Sequence, residues 1–210
     1  FILMLQKSFT ILADGCFPTH ETPLSHLRNA RYVVCCDGAA VKLTEFGREP
    51  DYIVGDLDSL PKTFKEKYAD RLYPSADQET NDQTKAVLFC KEQGATAITI
   101  IGATGLREDH TLGNISLLAD YAETFPDIEM MTDYGVFTVM TRSGSLPSHK
   151  GQQISVFALD SRARLTVDNL KYPIPNKPLS SWWQGTLNEA LGDSFSLTFD
   201  EGRWIVFRCY

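Results

Sequence analysis

The segment YIVGDLDSLPK, residues Tyr52 to Lys62, joins an apolar run to an acidic loop. The run ends in a glycine, and Asp56 and Asp58 follow with one residue between them. If the segment is extended, side chains alternate between its two faces, so both carboxylates point the same way. Like charges at that distance repel each other unless a positive group lies between them. The segment therefore predicts a buried strand that is followed either by a solvated acidic turn or by a cation site.

Similar apolar runs recur through the first half of the chain. They are rich in β-branched residues and are typical of buried strands: FTILA (9–13), YVVCC (32–36) and AITII (97–101). Segments with helical spacing lie between and after them: AAVKLTEF, NDQTKAVLFCKEQG and DHTLGNISLLADYAETF. This alternation predicts an α/β domain with a mostly parallel, Rossmann-like sheet covered by helices.

The helical period disappears after about residue 134. DSFSLTF places Phe195, Leu197 and Phe199 on one face of an extended segment. ISVFAL, ARLTV and RWIVF are further short strand candidates, separated by polar or proline-rich turns such as YPIPNKP. We expect a small antiparallel β-sandwich or barrel here. The boundary is expected in or just before TRSGSLPSHKG, which gives domains at 1–142 and 143–210.

Composition limits the classes of function. The chain has 210 residues, of which 43% are hydrophobic, enough for a core. A net charge of −7 argues against nucleic acid as the main partner. The five cysteines form no C-x-x-C pair, which favours a reducing, cytoplasmic location. The N-terminal FILML is too short and lacks the basic flank of a signal peptide, and no apolar run is long enough for a membrane helix, so no membrane association is expected.

A second acidic cluster begins the segment DQETNDQTKAVLFC. Thr80 and Gln83 have the spacing of a capping box, which predicts a helix start near Asn81. Asp82 is then in line with the apolar stripe of that helix and faces the core, with Glu79 just ahead and Lys85 one turn in. Two explanations remain open: compensation of the helix dipole, or a cation shared with the loop after the YIVG strand.

The third element is the segment IIGATGLREDHTLGN. Its glycines, Gly102 and Gly105, permit a tight turn between a strand and a helix that begins near Asp109. Backbone N–H groups at such a helix start attract phosphate, and Arg107 would add a bidentate contact. An ordinary glycine-containing turn explains the spacing equally well, and His110 then remains a surface histidine.

These segments in this order resemble the thiamin pyrophosphokinases, enzymes that transfer a pyrophosphoryl group from ATP to thiamin. The resemblance extends from residue 37 to residue 192 and is carried by CDGAAVKL, GDLDSL, DQETNDQTKA, GATGLREDHTLGNISLL, NLKYPI and GTLNEALG. It implies ATP as co-substrate, Mg²⁺ as cofactor, and a homodimer in which thiamin lies between the catalytic half of one chain and the sandwich of the other.

The resemblance also implies roles for individual residues. The Mg²⁺ ligands would be Asp56, Asp58 and Glu79. Catalysis would involve Asp56, Asp58, Asp82, Arg107 and Asp109. The nucleotide would be bound by Asp37, Gly38, Lys85, Gly102, Gly105, Arg107 and His110. Thiamin would be bound by Thr186 and Asn188, and one of the two tryptophans Trp182 and Trp183 would stack on its cationic rings.

Three positions depart from the family pattern. Glu79 replaces the commoner aspartate, Asn81 the commoner threonine, and TLN the frequent TSN, which leaves Leu187 as a doubtful thiamin contact. The expected reaction is in-line attack of the thiamin hydroxyl on the β-phosphorus of ATP, with Asp82 or Asp109 accepting the proton. The alternatives are a metal-dependent nucleotide hydrolase or nucleotide-sugar transferase with the same acidic cluster, and a non-catalytic nucleotide-binding module.

Overall fold

The computed structural model describes residues 7 to 210. The FILML run, in which the sequence predicts no signal peptide, lies outside these residues. The chain divides into two compact units. The first comprises the described residues up to Leu117 together with Ile128–Asp133, and the second comprises Leu118–Asp127 together with Tyr134–Tyr210.

The first unit contains a six-stranded parallel sheet. Its strands are β1 (Ser8–Leu12), β2 (Val33–Cys36), β3 (Tyr52–Gly55), β4 (Leu72–Pro74), β5 (Ala97–Ile101) and β6 (Glu129–Met131). The helices that alternate with them are α1 (Glu21–Asn29), α2 (Ala39–Glu45), α3 (Lys62–Lys67), α4 (Asp82–Glu92) and α5 (Glu108–Tyr121). The predicted α/β fold is therefore confirmed, since the four predicted strands and three predicted helices all form.

Strand order in this sheet is β6-β5-β1-β2-β3-β4. The chain moves outward from β1 through β2 and β3 to β4, then crosses to the other side of β1 to form β5 and β6. The strand order thus reverses between β1 and β5. In open parallel sheets the crevice outside the carboxyl ends of the strands at such a reversal is the usual ligand site.

The second unit is built from two antiparallel sheets. Their strands are β7 (Gly135–Met140), β8 (Gly144–Pro147), β9 (Gln153–Ala158), β10 (Arg164–Asp168), β11 (Ile174–Pro178), β12 (Asn188–Glu189), β13 (Ser194–Thr198) and β14 (Trp204–Cys209). One sheet includes the order β12-β9-β14-β7, and the other has the order β11-β10-β13-β8. Apolar side chains from both sheets form one core around Trp204 and Phe195. This arrangement confirms the predicted antiparallel sandwich.

The proline-rich segment YPIPNKP was expected to be a turn, and this expectation was wrong. Residues Ile174–Pro178 form β11, which pairs with β10 alone. Proline is tolerated there because an edge strand leaves one side of its backbone without ladder hydrogen bonds. Similarly, part of the expected boundary segment TRSGSLPSHKG forms the edge strand β8. None of the helices within residues 7–210 combines the length and apolar character that a membrane span requires.

Candidate active site

Asp56 and Asp58 lie in the loop that follows β3. Both are exposed, and Leu57 between them is 6% exposed and belongs to the apolar core. The expected extended geometry was wrong, because Leu57 has φ 65° and the N–H of Asp58 donates to Oδ1 of Asp56 at 2.9 Å. Burial of Leu57, rather than strand alternation, leaves the two carboxylates on the surface.

Asp37 follows β2 and is 7% exposed. Its Oδ1 accepts a hydrogen bond from the Leu57 N–H at 2.9 Å, which joins this residue to the loop after β3. The carboxyl can come so close because Gly55 has no side chain: a Cβ there would lie 2.1 Å from Asp37 Oδ1. Burial raises the pKa of Asp37 to about 6, and the negative charges of Asp82 and Asp56 contribute in the same direction.

Helix α4 begins one residue after Asn81, as the sequence predicted. The predicted capping box of Thr80 and Gln83 was wrong, because Asn81 is the cap and its side chain accepts the N–H of Thr84 at 2.9 Å. Asp82 heads the buried stripe and remains 45% exposed at its side chain. The carbonyl of Asp82 accepts a weak contact from the thiol of Cys36 at 3.5 Å, which places the start of α4 beside the end of β2.

Lys85 provides a positive charge within the acidic cluster. Its side chain is only 8% exposed, and Nζ lies 3.0 Å from Oδ1 of Asp82. Burial by itself would lower the pKa of this ammonium, but the bond to Asp82 and the charges of Asp56 and Asp37 raise it above its ordinary value. The repulsion between the acidic residues is therefore reduced by a lysine of the same chain.

Glu79, the third expected metal ligand, is exposed in the loop before α4. Its N–H donates to Oδ1 of Asp77 at 2.8 Å, and the Thr80 hydroxyl donates to the other oxygen of Asp77. Asp77 organises this loop and was missed by the sequence reasoning. Among the residues that the structure describes, no three His, Cys, Asp or Glu side chains gather as a metal cage, so Asp56, Asp58 and Glu79 do not form one.

The loops after β1 and β5 are joined by backbone hydrogen bonds. The N–H of Gly15 donates to the Gly102 carbonyl at 2.7 Å, and the N–H of Cys16 donates to the Thr104 carbonyl at 2.9 Å. Gly102 and Gly105 have φ values of 73° and 87°, which agrees with the turn predicted for them. A Cβ on Gly15 would lie 2.4 Å from the Gly102 carbonyl oxygen, so this position requires glycine.

Arg107 and Asp109 form a bidentate ion pair near the start of α5. Nε lies 3.1 Å from Oδ1 and Nη2 lies 2.5 Å from Oδ2, and both side chains are largely exposed. Asp109 also accepts the N–H of His110 at 2.9 Å. The bond to Arg107 lowers the pKa of Asp109, which makes this carboxylate a weaker base. An incoming phosphate would have to compete with Asp109 for the guanidinium.

A cavity of about 510 Å³ opens at the point where the strand order reverses. Of the predicted site residues, Asp82, Arg107 and His110 line it. The rest of its lining was not predicted: Ala13, Asp14, Gly15, Cys36, Thr80, Asn81, Gln83, Ala103, Thr104, Leu106, Thr111 and Asn114. Most of these residues lie within the segments DQETNDQTKA and GATGLREDHTLGNISLL, but the motifs in those segments did not single them out as site residues.

Trp182 and Trp183 lie in the second unit, in a 3₁₀ helix that spans Trp182–Gly185. Both residues are exposed. Trp182 is 45% exposed and its indole N–H donates to the Ala158 carbonyl at 3.0 Å, whereas Trp183 is 73% exposed. Trp183 is thus the tryptophan with more ring surface available to a ligand.

Thr186 and Asn188 follow this helix. The Thr186 hydroxyl donates to the Trp183 carbonyl at 2.7 Å. Asn188 is 6% exposed, and its amide binds both the N–H and the carbonyl of Tyr172. Its side chain therefore fixes the local backbone. Leu187 between them has φ 58° and is 78% exposed. The thiamin contacts of Thr186 and Asn188 stay predictions.

Family models match both halves of the chain. The thiamin pyrophosphokinase catalytic domain matches residues 24–131, and the thiamin pyrophosphokinase substrate-binding domain matches residues 135–207. The chain belongs to the thiamin pyrophosphokinase family. The resemblance seen in the sequence motifs is thereby confirmed, and the alternative of a nucleotide hydrolase or nucleotide-sugar transferase receives no support.

Individual members of the family show the extent of the similarity. Thiamine pyrophosphokinase 1 of Oryza sativa subsp. japonica is 34% identical over 42% of this chain and 43% of the rice protein. Thiamine pyrophosphokinase of Bacillus subtilis (strain 168) is 28% identical over 82% of this chain and 84% of its own length. The crystal structure of thiamine pyrophosphokinase from Bacillus subtilis has a TM-score of 0.81 at 23% identity over 97% of this chain and 99% of that chain, which shows the shared fold. The sequence match with the rice protein therefore covers less than half of that protein's length.

Proposed function

We propose that this chain is a thiamin pyrophosphokinase, which transfers the pyrophosphoryl group of ATP to the hydroxyl of thiamin and yields thiamin diphosphate and AMP. One observation carries the proposal: models of the family's catalytic and substrate-binding domains match consecutive segments that together span residues 24–207. The cavity at the strand reversal has a helix start and an arginine in its wall, which supports nucleotide binding in the segment that matches the catalytic domain.

Asp56, Asp58 and Glu79 are proposed as the residues that hold Mg²⁺. The donor set suits this ion, because the three side chains are exposed and offer only oxygen ligands. Mg²⁺ commonly takes one or two carboxylates and completes its shell with substrate phosphates and water, so a preformed cage of three ligands is not required. When bound, the ion would offset polyphosphate charge.

Other residues are proposed to bind and orient the reactants. Arg107 would exchange its contact with Asp109 for phosphate oxygens, and Lys85 would offset charge near Asp82. Asp37, Gly38, Gly102, Gly105 and His110 complete the proposed nucleotide site. The hydroxyl proton of thiamin would be accepted by Asp82 or Asp109, and each of these carboxylates is bound to a cationic side chain in the structure.

Thiamin is proposed to bind at the second unit through Thr186, Asn188 and a tryptophan. Trp183 is the better candidate for stacking because 73% of its surface is exposed. We further propose a homodimer in which this surface serves the catalytic half of the partner chain. The cysteine usage supports a cytoplasmic location.

Product analysis tests the proposed reaction. Purified protein is incubated with ATP, Mg²⁺ and thiamin, and the nucleotides and thiamin species are separated. AMP and thiamin diphosphate should appear in equal amounts and only with the metal. ADP with thiamin monophosphate would mean that a different phosphorus is attacked. Folded protein that gives no thiamin-dependent product would contradict the proposal.

Mixing inactive variants tests the proposed dimer. Asp56→Asn removes the proposed catalytic centre, and Trp183→Ala removes the proposed thiamin contact. If each site combines the two halves of different chains, a re-equilibrated equal mixture should recover roughly a quarter of wild-type activity. Two variants that stay inactive together, in a sample shown to contain mixed dimers, would contradict the shared site.

A further inference from the structure

Gln83 is a buried side chain in the wall of the cavity at the strand reversal. It is the second residue of α4 and is 3% exposed. Its Nε2 donates to the backbone carbonyl of Asn114 at 3.1 Å. Its Oε1 is buried and has no hydrogen-bond partner among the described residues. Buried amide oxygens are normally paired, so this one calls for an explanation.

The orientation of the Gln83 amide is fixed by its surroundings. A carbonyl oxygen only accepts hydrogen bonds, so the amide nitrogen of Gln83 must face Asn114 and the oxygen must point away from it. Asn114 is itself held, because its Nδ2 donates to the Ala103 carbonyl at 2.9 Å and its Oδ1 accepts from Asn81 at 3.0 Å. The network joins the start of α4 and the middle of α5 to the loop after β5.

The chemistry of the unpaired atom limits what can bind to it. An amide oxygen accepts from N–H or O–H groups, whereas phosphate oxygens at neutral pH are mainly acceptors themselves. Arg107, in the same cavity wall, offers the donors that phosphate requires. A nucleotide in this cavity would therefore present its phosphates to Arg107 and a donor of its nucleoside part to Gln83.

We propose that Gln83 is a specificity-determining residue that accepts a hydrogen bond from the nucleoside of the bound nucleotide. The donor is either the amino group of the base or a ribose hydroxyl, and both sources share the same chemistry. The inference rests on the proposed nucleotide site in this cavity. Gln83 would recognise the nucleoside of the nucleotide, whereas Arg107 would bind its phosphates.

Calorimetric titration without thiamin tests the proposal on the intact wild-type chain. The ligands are ATP, inosine triphosphate, which replaces the amino group with a carbonyl, and the 2′-deoxy and 3′-deoxy forms of ATP. One analogue should bind about tenfold more weakly than ATP, and its identity reveals the donor. Equal affinities for all four nucleotides, or no binding of any of them, would overturn the proposal without the use of a variant.

The variant Gln83→Met keeps the size of the side chain and removes the acceptor. It should weaken ATP binding by about tenfold while leaving the affinity for the discriminated analogue nearly unchanged, so that the preference disappears. A preference that persists in a folded Gln83→Met variant would overturn the proposal. If this variant does not fold, the titration of the wild-type chain with the four nucleotides tests the proposal by itself.

Gln152→Met is the matched control. Gln152 also donates through Nε2 to a backbone carbonyl, that of Cys209 at 2.6 Å, and its Oε1 also lacks a partner in the described structure. It does not line the cavity, so its variant should keep the full nucleotide preference. Product formation by the wild type is assayed separately. A nucleotide preference without formation of thiamin diphosphate would reject the proposed reaction and retain the role of Gln83. Formation of thiamin diphosphate without a nucleotide preference would support the proposed reaction and reject the role of Gln83.

Discussion

Replacing Asp37 with asparagine should stabilise the fold at neutral pH. The carboxyl is 7% exposed, and burial raises its pKa from the ordinary 3.8 to about 6. Each unit of pKa difference corresponds to about 1.4 kcal/mol, so the ionised carboxylate costs the folded state roughly 3 kcal/mol. Asparagine carries no charge, and its Oδ1 can keep the hydrogen bond from the Leu57 N–H at 2.9 Å.

The sign of the effect follows from proton binding. Below pH 3.8 the carboxyl is protonated in both the folded and the unfolded chain, so it contributes nothing. Between pH 3.8 and 6 the unfolded chain releases the proton while the folded chain keeps it, and the stability of the wild type falls as the pH rises. The gain in Asp37→Asn should therefore grow from about 0.5 kcal/mol at pH 4 to about 3 kcal/mol at pH 8.

Urea unfolding from pH 4 to pH 8, in buffer that contains a metal chelator, measures this difference. Asp127→Asn is the control, because Asp127 is exposed and its replacement should change stability little at any pH. A gain in Asp37→Asn that does not depend on pH, or a loss of stability at pH 8, would refute the reasoning that the buried charge is costly.

Three further changes have distinct expected results. Asp56→Asn should lower turnover more than 100-fold in the product assay while the melting temperature stays within a few degrees, because the side chain is exposed; turnover near that of the wild type would reject its catalytic role. Arg107→Ala should lower kcat by about 10²- to 10³-fold, as expected for the loss of one oriented donor. An unchanged kcat would show that the loop is an ordinary glycine-containing turn without a catalytic role. Gly15→Ala should destabilise the fold by about 1–3 kcal/mol in urea unfolding, since its Cβ would lie 2.4 Å from the Gly102 carbonyl oxygen; wild-type stability would show that the two loops can separate without cost.

The sequence predicted the α/β fold because its central strands are buried on both faces. β2 is buried at all four of its positions, and such strands appear as continuous apolar runs. β4 and β6 have three residues each and carry exposed or half-buried positions, so they lack this signal. β11 contains two prolines and was missed for a related reason: proline marks a turn in the sequence, and only the pairing of neighbouring strands reveals an edge position.

Asp82 and Arg107, which the sequence motifs singled out, line the cavity at the strand reversal. The site roles of Asp56 and Asp58 stay predictions. The burial of Asp37 could not be predicted, because it depends on the missing side chain of Gly55, a residue distant in sequence. Gln83 was assigned to a helix cap on spacing alone, whereas the tertiary contact with Asn114 determines where its side chain points. Contacts between separate loops leave no periodic pattern in a sequence.

The acidic cluster reduces its own repulsion in two ways within this chain. The ammonium of Lys85 lies 3.0 Å from Asp82, and the raised pKa of Asp37 leaves part of that group protonated near neutral pH. The pKa of Asp37 is raised mainly by burial, and the negative charges of Asp82 and Asp56 add to the shift. Additional positive charge brought by a ligand would lower the pKa of Asp37 and remove its cost of ionisation. The cost of ionising Asp37 is therefore greatest at high pH when no such charge is bound.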